Sequence, residues 1–329
     1  MQPLAAASPV VDSPWRVLEL FAGIGGLAHA WPEVKVVAAL DINTQAASVY
    51  RRSLSHPYQV REIESLSDEL LGHYAANLWW LSPPCQPFTR RGQQRDVADR
   101  RTRGLQRIVE AIAACRPQAI GLENVVGFLG SRASERLLQC LADCGYQVAI
   151  RELCPSHLGW PNRRPRVYLL AARERLRPWR AVPRYDCRLQ DLLSPAAAVE
   201  PAAQHRPGES NGTGDTTGDS TGDSTGGTTE QELWLPTQYV EKYWSALDRI
   251  EVLSDDACTA CFAASYGKTL LHAGSYLRVG NRYRRFSPRE VARLLGFPDS
   301  LDLAGVPTRA AWKLLGNSLS LPAVRYVLS

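Results

Sequence analysis

The sequence has little lysine, a single methionine and no long apolar segment. Its lysines are Lys35, Lys242, Lys268 and Lys313, so the formal net charge of +5 is carried mainly by arginine. No window approaches the roughly 20 apolar residues of a membrane span, and the N-terminal residues lack the pattern of a signal peptide. The 329 residues are 45% hydrophobic, enough for a large packed core. These features predict a globular, cytoplasmic protein.

The eight cysteines lack the spacing of a disulfide framework, which favours a reducing compartment. Cys258 and Cys261 form a CxxC pair. A structural zinc site needs a second pair of Cys or His ligands. No second CxxC pair accompanies this one, so we predict no metal.

Arginine is concentrated in two segments of the chain. A guanidinium group makes two-point contacts to phosphate and stacks on bases, so both segments are candidate contacts to a nucleic acid. Ordinary solvated surface is the alternative. The segments contain Arg90, Arg91, Arg95, Arg100, Arg101 and Arg103, and then Arg278, Arg282, Arg284 and Arg285.

A loop rich in proline presents one cysteine directly after an apolar run. Residues 78–81 read LWWL, which predicts a buried strand, and residues 82–88 read SPPCQPF. Open α/β sheets bind ligands at the carboxyl ends of their strands, so Cys85 is a candidate nucleophile. The loop alone leaves open that Cys85 is only a small buried apolar residue.

A glycine turn follows the first predicted strand. Residues 16–21 predict that strand, AGIGGLA follows, and residues 34–40 predict a second strand that ends at Asp41. Such a unit binds a nucleotide on the turn and its ribose on the acid. The spacing fits a dinucleotide as well as S-adenosylmethionine (SAM), so the residues leave the cofactor open. A tight turn without a ligand is a third interpretation.

Two further predicted strands carry charged residues at their ends. Residues 120–122 lead into Glu123, which is a candidate catalytic carboxyl but also fits a helix cap or an ion-pair partner. Residues 162–166 read NRRPR and precede the apolar run 167–171.

These motifs together resemble those of the cytosine carbon-5 methyltransferases. ELFAGIGGL, SPPCQPFTRRG, ENV, NRRPR, RLLGFP and GNS follow one another in family order over about residues 16–173 and 255–329. The resemblance implies an α/β fold, with a Rossmann-like SAM-dependent methyltransferase domain and a smaller target-recognition domain.

The resemblance and the composition also divide the chain. We expect a flexible leader at 1–14, a catalytic domain at 15–175 and 305–329, and the target-recognition domain at 176–304. Within the latter, a Gly/Thr/Asp/Ser tract at about 204–230 has too little apolar surface to pack, so we expect a disordered insertion.

The resemblance implies covalent catalysis at cytosine, whose carbon 5 is too weak a nucleophile by itself. The thiolate of Cys85 would add to carbon 6, and Glu123 would supply a proton or hydrogen bond at N3. The catalytic positions are completed by Arg164 and Arg166, and we expect cationic neighbours such as Arg164 to lower the pKa of Cys85.

The family's SAM-binding positions also map onto this sequence. They are Phe21, Ala22, Gly23, Ile24, Gly25, Gly26, Asp41, Ile42, Glu62, Ile63, Ser82, Pro84, Asn317 and Ser318. The glycine loop would hold the methionine end of SAM and Asp41 its ribose hydroxyls.

The segment CFAASYG at 261–267 resembles the CFTxxYG signature of the branch that methylates cytosine 38 of aspartate tRNA, with Ala263 in place of Thr. The implied substrate is tRNA, tRNA-Asp above all, with no obligatory protein partner. A DNA (cytosine-5) methyltransferase, for example of a restriction-modification system, is the alternative. Outside the class, an oxidoreductase and a non-catalytic RNA-binding protein remain alternatives. The implied nucleic-acid contacts are Arg90, Arg91, Arg95, Arg101, Cys261, Phe262 and Tyr266.

Overall fold

The computed structural model of the protein describes residues 14–85, 100–194, 230–252, 254 and 256–329. The expected leader up to residue 13 and the Gly/Thr/Asp/Ser tract up to residue 229 lie outside these residues. So do three candidate nucleic-acid contacts, namely Arg90, Arg91 and Arg95.

A seven-stranded sheet forms the centre of the fold. Its order is β3-β2-β1-β4-β5-β7-β6. The first five strands in this order are parallel, while β7 runs antiparallel to both of its neighbours. This arrangement confirms the predicted Rossmann-like α/β fold. The strands are β1 (Arg16–Leu20), β2 (Lys35–Asp41), β3 (Tyr58–Val60), β4 (Leu78–Leu81), β5 (Ala119–Asn124), β6 (Gln147–Leu153) and β7 (Arg166–Ala172).

The helices follow from apolar spacing and from caps. On the fourth helix Leu105, Ile108 and Ile112 are buried, as their spacing predicts. None of the helices in the described part of the chain is long and apolar enough to cross a membrane. They are α1 (Gly26–Ala30), α2 (Thr44–Ser53), α3 (Asp68–His73), α4 (Arg103–Cys115), α5 (Arg132–Asp143), α6 (Glu230–Leu233), α7 (Thr237–Lys242), α8 (Pro288–Leu294), α9 (Thr308–Gly316) and α10 (Leu321–Val327).

A second, three-stranded sheet lies in the later part of the chain, with the order β10-β9-β8. Its strands are β8 (Asp248–Ile250), β9 (Ser275–Val279) and β10 (Arg282–Arg285). The apolar spacing over 237–250 predicts one continuous helix, but α7 ends at Lys242, and Asp248–Ile250 pairs with β9 as a parallel strand. Tertiary pairing overrides local helix propensity here.

Alternate side chains of β4 pack on opposite faces of the large sheet. Trp79 and Trp80 are both buried, but they belong to different apolar clusters. A central parallel strand covered on both faces has this pattern. Gly121 on β5 makes room for the side chain of Trp80, because a Cβ at position 121 would lie 2.4 Å from the Trp80 ring. The boundaries expected at 175 and 305 remain a prediction, since one apolar cluster includes residues of both sheets.

Candidate active site

Three strands of the large sheet end at the same edge. Leu20, Leu81 and Leu122 are register partners on β1, β4 and β5. The glycine turn, the Cys85 loop and Glu123 therefore emerge side by side. They surround a cavity of about 690 Å³, within the usual size range of small-molecule sites.

The cavity brings the sequence-predicted residues together. All four catalytic candidates line it: Cys85, Glu123, Arg164 and Arg166. Every predicted SAM position lines it as well, except Gly25. A Cβ on Gly25 would lie 2.6 Å from Leu54 Cδ1, and its φ is +83°, so this glycine serves the turn and its packing.

Asp41 organises the glycine turn. Its carboxylate accepts hydrogen bonds from the backbone N–H groups of Gly23 and Asn43, each at 2.9 Å. Burial raises the pKa of Asp41, while these amide donors oppose that rise. Next to it, the apolar side chain of Ile42 is 64% exposed at the cavity and offers a surface for a flat ring.

A second acid, Glu19, lies beneath the glycine turn and was missed by the sequence reasoning. Its carboxyl group accepts from the N–H of Leu27 at 3.2 Å and from the hydroxyl of Tyr50 at 3.3 Å. Burial raises the pKa of Glu19 to about 8. The available signal was an acid inside the otherwise apolar strand RVLEL.

Cys85 and Glu123 share the guanidinium group of Arg166. Arg166 Nε lies 3.2 Å from Glu123 Oε1, with both side chains about nine-tenths buried. Burial raises the pKa of Glu123 despite Arg166 and Arg164, so the group is biased toward the neutral acid. Burial also raises the pKa of Cys85 and outweighs Arg166 and Arg164. Arg166 and Arg164 do lower the pKa of Cys85, as expected, but its net pKa still lies above the ordinary value.

Arg164 joins three distant segments. Its Nη1 donates to the carbonyl of Phe262 at 3.3 Å and contacts Cys261 Sγ at 3.4 Å. Its Nη2 donates to the carbonyl oxygens of Gly316 and Ser318. Arg164 is 2% exposed, so its main observed role is to clamp the GNS segment and the CFAASYG segment against the cavity.

The family model for C-5 cytosine-specific DNA methylases matches residues 15–329. The chain belongs to this family. The tRNA (cytosine(38)-C(5))-methyltransferase of Mus musculus is 30% identical, and the match covers 96% of this chain and 93% of that protein. A DNA (cytosine-5)-methyltransferase of Dictyostelium discoideum is 28% identical over 95% of this chain and 93% of its own length. The crystal structure of S. pombe Dnmt2 methyltransferase has a TM-score of 0.76 and 27% identity, covering 95% of this chain and 97% of that one.

This cytosine-C5 methylase therefore has relatives named for tRNA and relatives named for DNA over almost its whole length. Family membership establishes the reaction and leaves the nucleic acid to be argued separately. Within the described residues of the methylase, no group of three or more His, Cys, Asp or Glu side chains could hold a metal ion.

The structure corrects two of the implied nucleic-acid contacts of the methylase. Phe262 and Tyr266 are 1% and 0% exposed and pack edge to face with each other. The Tyr266 hydroxyl donates to Ser275 O at 2.6 Å and accepts from Phe286 N–H at 3.0 Å. These rings pack in the core beside the small sheet. The prediction that Phe262 and Tyr266 contact nucleic acid directly is therefore wrong. Arg101 does line the cavity.

The second arginine segment is also used differently from the expectation. Both terminal nitrogens of Arg284 bind the carboxylate of Glu290 at 2.8 Å, in a buried pair. Arg278 pairs with Glu251, and Arg282 lies over the ring of Trp234. The prediction that Arg284 contacts phosphate is therefore wrong, because both of its terminal nitrogens already bind Glu290 inside the protein.

Several residues of the site were not among the predicted positions, although Asn124 and Gly316 belong to the ENV and GNS motifs. Asn124 Nδ2 donates to Pro83 O at 3.2 Å, and Trp80 Nε1 donates to Ser82 Oγ at 3.0 Å, so both support the Cys85 loop. Lys313 lines the cavity from α9. Gly316 does so as well, and a Cβ there would lie 2.4 Å from the backbone nitrogen of Ala264.

Proposed function

We propose that this methylase transfers a methyl group from SAM to carbon 5 of a cytosine in tRNA, with cytosine 38 of tRNA-Asp as the target. One observation carries the proposal. Cys85, Glu123 and Arg166 lie at one cavity together with the glycine turn and Asp41. The CFAASYG segment, which resembles the tRNA-directed signature, is held against the same cavity by Arg164.

The residues present fit SAM. The glycine turn leaves backbone atoms open to the methionine end, and the carboxylate of Asp41 is placed for ribose hydroxyls. The exposed face of Ile42 suits the adenine ring, with Glu62 and Asn317 also at the cavity. When bound, SAM supplies an electrophilic methyl group.

The chain's own residues perform the remaining steps. The Cys85 thiolate adds to carbon 6, which makes carbon 5 an enamine-type nucleophile. Glu123 holds a proton at N3 and stabilises the negative charge that addition pushes into the ring. Arg166 orients Glu123 through the 3.2 Å contact. After methyl transfer, water accepts the proton from carbon 5, and the electron pair of that C–H bond restores the 5,6 double bond and breaks the bond between carbon 6 and the Cys85 sulfur.

Access to the target base favours a loop of RNA. Carbons 5 and 6 of a paired, stacked cytosine cannot be reached, so the base must leave the stack. An unpaired anticodon-loop cytosine costs less to extrude than one in a duplex. DNA is the second candidate substrate, supported by the match to the Dictyostelium discoideum enzyme.

The test measures methyl transfer from labelled SAM to total tRNA and to unmethylated genomic DNA in parallel. We expect label in tRNA, lost with Cys85→Ala and retained with Cys115→Ala, a matched change on α4 outside the cavity lining. Bisulfite sequencing of tRNA-Asp should then place the modification at position 38. Label in DNA alone would contradict tRNA as the substrate but would leave the proposed chemistry unchanged. Label that persists in the Cys85→Ala variant would contradict Cys85 as the nucleophile.

A further inference from the structure

The sulfur of Cys261 lies between two buried guanidinium groups. Arg164 Nη1 and Arg166 Nη2 contact Sγ at 3.4 and 3.7 Å. Arg164 is 2% exposed and Arg166 is 9% exposed. The thiols of Cys258 and Cys261 both lie near the carbonyl of the next residue, but within the described residues the two guanidinium contacts belong to Cys261. The two cysteines of the CxxC pair are therefore not equivalent.

The two arginines share only one acidic side chain within the described residues. That side chain is Glu123, at 3.2 Å from Arg166 and biased toward its neutral form. The other acceptors that Arg164 reaches are carbonyl oxygens of Phe262, Gly316 and Ser318. Carbonyl groups solvate a cation but do not neutralise it, and a buried charge without a counter-ion is costly. A second negative charge is needed beside Arg164.

We propose that Cys261 supplies this charge as a thiolate, and that it is a positioning residue which sets the protonation of Glu123 and Cys85 through the shared arginines. Burial by itself raises the pKa of Cys261, but Arg164 and Arg166 outweigh it and leave the pKa below its ordinary value. Burial also raises the pKa of Cys258, and there Arg163 does not outweigh it. The thiolate form thus fits the contacts around the Cys261 sulfur.

The charge on Cys261 also affects the other titratable groups around Arg166. The titratable side chains that face this guanidinium are Cys261, Glu123, Cys85 and Tyr168. Removing the negative charge of Cys261 leaves more uncompensated positive charge next to Glu123 and Cys85. The pKa values of both groups then fall. The inference rests on the proposed roles of Glu123 as acid and Cys85 as nucleophile.

The activity test compares Cys261→Ser, which cannot ionise, with Cys261→Asp, which keeps a negative charge at similar volume. Activity needs ionised Cys85 and protonated Glu123, so a fall of both pKa values moves the whole pH optimum down. We expect the pH optimum of the serine variant to fall by about one unit, with about a tenfold loss of activity on the alkaline side and a gain on the acid side. The aspartate variant should keep the wild-type optimum. Cys258→Ser is the matched control and should change neither.

A purely structural role for Cys261 predicts something else. The serine variant would then lose activity by the same factor at every pH, or not at all, and aspartate would restore nothing. Either result overturns the proposal.

A second measurement does not depend on activity or on a variant. The rate at which iodoacetamide labels each cysteine of the wild-type chain is followed against pH by mass spectrometry, since the thiolate is the reacting form. Labelling of Cys261 should level off at a lower pH than labelling of Cys258, because the pKa of Cys261 is lowered and that of Cys258 is raised. Parallel curves for the two would overturn the proposal. Absence of methyl transfer by the wild-type chain would instead contradict the proposed function and leave this labelling test intact.

Discussion

Asn124 donates a hydrogen bond from Nδ2 to the carbonyl oxygen of Pro83 at 3.2 Å, and this bond ties the loop of Glu123 to the loop of Cys85. The side chain is 1% exposed, and its Oδ1 also accepts from the N–H of Val125. Since one residue holds both loops, the distance between the acid and the nucleophile depends on it.

The first prediction concerns this bond. Asn124→Ala leaves the Pro83 carbonyl and the Val125 N–H without their partner, which should lower the free energy of unfolding by about 1–3 kcal/mol. It should also reduce kcat more than it changes the KM for SAM, because the Cys85 loop moves relative to Glu123. Urea unfolding and steady-state methyl transfer measure the two effects.

Asn77→Ala is the control for this prediction. Asn77 accepts from the N–H of Arg16 just before β4, at the opposite end of the strand from the cavity. The Asn77→Ala variant should have a lower free energy of unfolding without a selective loss of kcat. Equal kinetic effects of the two changes would contradict the role assigned to Asn124.

Glu19 should make the protein less stable as the pH rises. Its pKa is about 8 in the folded protein against an ordinary value of 4.5, so between these values the folded state keeps a proton that the unfolded state has released. Stability therefore falls from about pH 4.5 upward and levels off above about pH 8. Glu19→Gln removes this dependence. The free energy of unfolding of the variant relative to the wild type should therefore increase by a few kcal/mol between pH 4.5 and about pH 8. Urea unfolding across this range is the measurement, and a difference between the two proteins that is constant with pH would contradict it.

Glu290 should show the opposite dependence. Although burial raises the pKa of Glu290, the hydrogen bonds and charge of Arg284 outweigh it, so the pKa lies below its ordinary value of 4.5. The pair contributes stability above that ordinary value, and the contribution is lost as the pH falls through the lower pKa of the folded state. Glu290→Gln leaves Arg284 buried without a counter-ion and should cost about 3–5 kcal/mol at neutral pH. Unfolding free energies at neutral and acid pH test this, and a cost that did not shrink in acid would be inconsistent with the ion pair.

Gly316→Ala should weaken SAM binding. Its Cβ would lie 2.4 Å from Ala264 N and 2.5 Å from Ala263 C, so two backbone segments must separate. Overpacking of this kind costs about 1–3 kcal/mol, and Asn317 and Ser318 at the cavity would move with the segment. The KM for SAM should rise and the melting temperature should fall. Gly72→Ala on α3 has no atom within 4 Å of its new Cβ and is the matched control, expected to be neutral or slightly stabilising. An unchanged KM in Gly316→Ala would refute the close-contact argument.

The order of the motifs along the chain was enough to predict the sheet edge and the residues that lie at it. The glycine turn, the PPC loop and the ENV segment each follow an apolar strand directly, and parallel strands place their carboxyl ends at one edge. Local order along the chain was sufficient for this, which is why Cys85, Glu123 and Asp41 meet at the cavity as expected.

Which charged groups and aromatic rings contact each other depends on the packing of remote segments and could not be predicted from the motifs. Arg164 contacts Ser318 across 154 positions of sequence, and Cys261 lies 95 positions from Arg166. Phe262, Tyr266 and Arg284 have residue types that suit a nucleic-acid surface, yet packing places them inside the protein. The pKa of Cys85 rises for the same reason, because burial and the summed field of several side chains set it. Motif letters record residue type and order, whereas burial and charge pairing depend on contacts between segments that are remote in the sequence.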